Sequence, residues 1–140
     1  MTTAGDIMHT GAECVGERQT LADAARIMKE RDVGALPICG ENQKLLGILT
    51  DRDIVLKCVA EGRDPGTVTA GELAQGRPMV VEADEDVEQV LRVMEQHLVR
   101  RLPVINHPGH ELVGMISEAD IARGMPQERV AEFVTTICAE

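Results

Sequence analysis

Residues 47–55 read GILTDRDIV, and residues 114–122 read GMISEADIA. Each stretch is a glycine, two apolar residues, a hydroxyl, two polar residues, an aspartate and two apolar residues. The surroundings repeat with it. TAG at 3–5 recurs as TAG at 69–71, and the same offset of 66 pairs Leu21 with Val87, Ala24 with Val90, Ala25 with Leu91, Met28 with Met94 and Pro37 with Pro103. Beyond the prolines the offset becomes 67, pairing Gly47 with Gly114 and Asp53 with Asp120, which places one extra residue in the loop NHPGH at 106–110. A surface loop absorbs such an insertion without disturbing a core. The chain is therefore two copies of one unit. Each is short of a self-sufficient core, so the expectation is that they pack together about a pseudo-twofold axis.

The elements of each copy read alike. Thr3 with Asp6 and Thr69 with Glu72 have capping-box spacing and predict a short entry helix. A brief extended stretch comes next, around Cys14 and Val15 and again around Met79 to Val81. Thr20 with Asp23 and Asp86 with Gln89 then predict helix starts, and apolar residues at 21, 24, 25 and 28, repeated at 87, 90, 91 and 94, form a helical stripe. ALPIC and RLPVI predict a strand, and a hairpin leads into LLGIL or LVGMI. The nine-residue motif feeds the last helix. Strand, helix, strand, strand, helix is an α/β (α+β) unit whose first connection is a right-handed crossover between parallel strands. EGRDPGTVT at 61–69 supplies the linker.

Composition bounds the partners. Of 140 residues, 44% are hydrophobic and 27% charged, with a net charge of −10 and a pI near 4.8. That charge repels phosphodiester backbones, and with no Trp, no Tyr and one Phe the chain lacks platforms for stacking bases. Nucleic acid is excluded as the expected partner. Neither a signal peptide nor a membrane span is visible, so a cytoplasmic location is expected. No Walker loop, H-E-x-x-H or nucleophile triad in motif context suggests catalysis, and the expectation is a protein that is not an enzyme.

The duplicated Gly-apolar-apolar-Ser/Thr-x-x-Asp motif, the prolines at 37 and 103, and the element order together resemble tandem CBS domains, the pair called a Bateman module. GALPICG, LTDRDIV and TAGDIM look closer still to stand-alone actinobacterial CBS pairs of the hypoxic response type. On this resemblance residues 1–66 are the first CBS repeat with its entry helix and linker, 67–124 the second, and 125–140 an amphipathic helix. The resemblance implies an adenine ribonucleotide or S-adenosyl compound (AMP, ADP, ATP or S-adenosylmethionine) in a cleft between copies. Aspartate would hold the ribose and Ser or Thr the phosphate, which puts those roles on Asp53 with Thr50 and on Asp120 with Ser117. Residues flanking the prolines, Leu36, Ile38, Leu102 and Val104, would line the base. Arg100 and Arg101 precede Pro103 where the first copy has Gly34 and Ala35, so only the second copy brings guanidiniums near a phosphate. A plainer reading stands beside this one, in which the Thr50–Asp53 and Ser117–Asp120 spacings only cap helices and the arginines pair with surplus carboxylates. The resemblance further implies a homodimer built through helices. No cofactor is expected to be required, and with no effector domain in evidence the output is expected to pass to a separate partner protein.

Cysteines and histidines fall outside the repeat. Cys14 and Cys39 lie on strands that a crossover places side by side, which makes them candidates for a disulfide, and two buried thiols are the alternative. His107 and His110 in the inserted loop are weak metal candidates that need help from His9, His97 or a carboxylate. Val130, Phe133, Val134 and Ile137 form one stripe after Pro126, so the last helix covers either its own domain or a second subunit. The functional expectation is a non-enzymatic, ligand-sensing regulatory pair, and the alternative is a stress-associated structural protein stiffened by a disulfide or metal.

Overall fold

The computed structural model describes residues 1–11, 13–74, 78–106 and 109–138. The first copy runs α1 (Ala4–Ile7), β1 (Val15–Gly16), α2 (Leu21–Arg31), β2 (Ala35–Cys39), β3 (Leu45–Thr50) and α3 (Asp51–Ile54), which continues as a π-turn over Val55–Val59. The second runs α4 (Ala70–Leu73), β4 (Val81–Glu82), α5 (Val87–His97), β5 (Arg101–Ile105), β6 (Leu112–Ser117) and α6 (Glu118–Gly124), and α7 (Gln127–Ile137) ends the chain. The predicted order is observed in both.

The backbone divides into two compact units, one of residues 12–78 and one of residues 1–11 with 79–140. In the first unit β1 lies parallel to β2 and β2 antiparallel to β3, with Leu36 opposite Leu49 and Pro37 opposite Ile48. Helix α2 is the crossover. Thr20 starts it as predicted, its hydroxyl accepting the Asp23 N–H at 3.1 Å while the Asp23 carboxylate accepts the Thr20 N–H at 3.2 Å. Leu21, Ala24 and Met28 of the predicted stripe are buried against Leu36, Ile38 and Leu49. The helix ends on Asp32 in the left-handed region.

The other unit repeats this plan, with β4 parallel to β5, β5 antiparallel to β6, and α5 as crossover. Here the cap differs in detail, because Asp86 accepts the Glu88 N–H at 2.9 Å. Val87, Val90, Leu91 and Met94 are buried, and α5 ends on Leu98, again left-handed. Helix α7 supplies Phe133 and Ile137 to this core, and Arg129 ties it to α5 through Glu88 at 3.0 Å and Glu95 at 2.8 and 3.0 Å. The surface α7 covers is therefore its own unit.

One grouping read from the sequence differs from the packing. The boundary at 66/67 assigns each entry helix to the copy that comes after it, whereas each packs on the other copy's sheet. Ala4 and Gly5 donate to the carbonyls of Glu85 and Ala83, both at 2.8 Å, and the Ala70 and Gly71 N–H groups donate to Gln19 and Glu17 at 2.8 and 2.9 Å. A β-carbon at Gly71 would lie 2.9 Å from the Glu17 carbonyl oxygen, so the glycine of the repeated TAG permits the close approach.

Candidate functional site

The motif's carboxylates stand at the starts of α3 and α6, where β3 and β6 deliver them. Thr50 and Asp53 form a reciprocal cap: the Asp53 N–H donates to Thr50 Oγ1 at 3.0 Å, and the Thr50 N–H donates to Asp53 Oδ2 at 2.9 Å. Asp53 Oδ1 meets Lys57 Nζ at 3.2 Å, one turn on, and the side chain is 24% exposed. Thr50 Oγ1 accepts the Asp53 N–H, and its own proton can turn to the Asp53 carboxylate or to another acceptor. Burial pushes the Asp53 carboxyl up, but hydrogen bonds from Thr50 and the charge of Lys57 outweigh it and hold the group below its ordinary range.

Asp120 sits in different surroundings. Its Oδ2 accepts from Ser117 N–H at 2.9 Å, from Ser117 Oγ at 3.0 Å and from His9 Nδ1 at 2.7 Å, while Oδ1 accepts from Arg123 at 2.8 Å. The carboxylate can only accept, so Ser117 spends its hydroxyl proton here and His9 carries its proton on Nδ1. The side chain is 3% exposed. Burial again raises the carboxyl, and His9 with Ser117 lowers it by more, for a net fall. His9 is held in place by a two-way backbone pairing with Met115, at 2.9 and 3.0 Å. A β-carbon at Gly114 would stand 2.8 Å from the His9 carbonyl oxygen, which explains why that copy of the motif opens with glycine.

The remaining predicted residues divide. Arg100 is paired with Glu118 at 3.1 Å, the plainer of its two readings, and that pair holds the guanidinium above its ordinary range. Arg101 is exposed at the start of β5. Leu36, Ile38, Leu102 and Val104 are all buried within the two cores. A surface groove between α5 and α7, lined by Glu88, Arg92, Glu95 and Arg129, contains none of the predicted residues. Lys57 and Arg123 lie four and three residues beyond the motif aspartates, a helical spacing that brings them to the carboxylates. His9 lies 111 residues from Asp120, and no local pattern connects the two.

Cys14 and Cys39 form a disulfide with Cα atoms 5.6 Å apart, while Cys58 is buried and Cys138 exposed as free thiols. His107 lies outside the described residues. His110 is exposed, with a left-handed backbone. Among the described residues no three His, Cys, Asp or Glu side chains gather to hold a metal ion. The pairing of His9 with Asp120 offers two ligands only, and the Arg123 cation on the same carboxylate opposes a dication.

A duplicated β-α-β-β-α unit with a Ser/Thr–Asp cap at each final helix defines a paired regulatory domain. The CBS domain model matches residues 4–59 and 70–126, and the chain belongs to the CBS domain family. It is similar to hypoxic response protein 1 of Mycobacterium tuberculosis, with 54% identity over 99% of this chain and 96% of that protein. A crystal structure of hypoxic response protein I with two coordinated zinc ions is 56% identical, with a TM-score of 0.82 over 89% of this chain and all of that one. Two further structures are each 26% identical over 88% of this chain. One is the protein CBSX2 in complex with AMP, at TM-score 0.74 over 95% of that chain. The other is a CBS domain pair in complex with 5'-methylthioadenosine and S-adenosyl-L-methionine, at TM-score 0.72 over 94% of that chain. The zinc-bearing structure corrects one expectation: no cofactor was expected, and a protein 56% identical to this chain coordinates two zinc ions. No described helix is long and apolar enough to cross a membrane.

Proposed function

We propose that the protein is a non-enzymatic ligand-sensing module that binds an adenine nucleotide or S-adenosyl compound through Thr50 and Asp53 and passes the signal to a separate protein. The supporting observation is the state of that pair. Asp53 keeps an acceptor position on each carboxylate oxygen, suited to two vicinal ribose hydroxyls, and the Thr50 hydroxyl can turn its proton to a phosphate oxygen. The AMP and S-adenosyl complexes of relatives support the ligand class. Binding would favour one of two arrangements of the chain by its differential affinity. Self-association through helices, with a homodimer as its simplest form, belongs to the same reading and is supported by the exposed Val55, Leu56 and Val59 on the turn after α3.

A thermal-shift series with AMP, ADP, ATP and S-adenosylmethionine tests the reading. At a hundredfold excess over Kd a native-state ligand adds about 2.7 kcal/mol, which for a chain of this size raises Tm by several degrees. The shift should appear in wild type and vanish in Asp53→Ala, judged against that variant's own baseline. Four silent ligands would favour the second reading, a stress-associated structural protein. The Cys14–Cys39 disulfide favours that alternative. Zinc binding would also stiffen such a protein, but the described residues do not by themselves compose a zinc site.

A further inference from the structure

Resting on the nucleotide reading above, we infer that His9 decides which copy of the motif takes ligand: by occupying Asp120 it closes the second copy, so the chain holds one nucleotide, at Thr50 and Asp53. A vicinal diol needs a carboxylate with acceptor capacity on both oxygens. Oδ2 of Asp120 already receives three donors, from His9 at 2.7 Å and twice from Ser117, and Oδ1 receives Arg123 at 2.8 Å. Such an oxygen has lone-pair room for about two donors. Ser117 directs its hydroxyl proton to the same oxygen. Asp53 receives one strong donor on Oδ2; the Oδ1 partners of the two aspartates, Lys57 and Arg123, are both solvent-exposed and can be displaced at small cost, so the copies differ at Oδ2.

His9 differs in kind from the other donors. Ser117 and Arg123 are neighbours of Asp120 on the same turn, and their equivalents in the first copy are Thr50 and the segment around Lys57. His9 arrives from the segment after α1, locked beside β6 by its backbone pairing with Met115. Its imidazole nevertheless stays 48% exposed. Removing the ring takes away the donor on Oδ2 that comes from outside the turn and leaves the two from Ser117, of which the hydroxyl can rotate to another acceptor and free a position, while the backbone pairing stays. A charge-assisted hydrogen bond of this sort corresponds to roughly tenfold or more in affinity.

Calorimetric titration with AMP, and separately with S-adenosylmethionine, tests this on wild type, Asp53→Ala, His9→Ala and the double variant His9→Ala/Asp53→Ala. The expected results are one site in wild type, none in Asp53→Ala, two in His9→Ala, and one regained in the double variant. Should the alanine loosen the segment beside Met115, His9→Leu keeps its bulk and is expected to behave the same way. Two sites in wild type, or one site lost only with Asp120→Ala, would overturn the inference and leave the nucleotide reading standing. A His9→Ala chain that still binds once, through Asp53, does the same. Absence of binding in every variant overturns the nucleotide reading itself, and the selector role with it.

Discussion

Four donors converge on the Asp120 carboxylate, only 3% exposed, and the arrangement makes the fold's dependence on acid calculable in sign. An aspartate in the unfolded chain ionises near 3.8, and both Asp120 and Asp53 ionise lower in the folded chain. The stability they confer is complete above the unfolded value and disappears as pH falls through the folded ones. We expect the urea midpoint to drop between about pH 5 and pH 3, and to drop less steeply in Asp120→Asn. Equal slopes in the two proteins would show that the donors around Asp120 contribute nothing. The capping role of both aspartates was legible in the sequence because it is a matter of spacing within one turn. His9 was not, because its partner is reached only through the packing of α1 against the second copy's sheet.

At the scale of elements, α7 shows how a stripe of apolar residues resolves into a core side and an open side. Phe133 is wholly buried and Ile137 nearly so, while Val134 is 41% exposed. Phe133→Ala should cost about 3–5 kcal/mol of unfolding free energy and Val134→Ala less than about 1 kcal/mol, measured by denaturant titration. Comparable losses from both would mean that Val134 is covered in solution by something further. The helix and its amphipathic face were plain from the period of Val130, Phe133, Val134 and Ile137. Which surface it covers was not, since periodicity marks an apolar face without naming what that face meets. The entry helices make the same point: their caps were readable at Thr3 and Thr69, and their exchange between sheets was not.

For the whole molecule, the repeat governed what could be read. Doubling supplied two independent sightings of every strand and helix, so weak two-residue strands such as β1 and β4 were placed by their copies. The cysteines broke the repeat and were read from topology instead: β1 beside β2 brings Cys14 and Cys39 into bonding range. Their bridge spans a sequence separation of 25. A loop of that length confers about 2–4 kcal/mol, chiefly by restricting the unfolded chain. Treatment with a phosphine reductant should therefore lower Tm in wild type and leave Cys14→Ser unmoved. Identical melting of oxidised and reduced wild type would deny the bridge any part in stability.

The exchange of entry helices also sets a timetable for synthesis. Residues 12–78 form a contiguous unit that can close while the ribosome is still adding the second copy's strands. The first eleven residues belong to a unit whose other members begin at Met79. They emerge ahead of residues 12–78 and can dock only after Met79 and its successors are made, across the chain that lies between. Until they do, β6 lacks the segment at His9 that borders it, and the motif around Asp120 is completed only when residues 1–11 return to it.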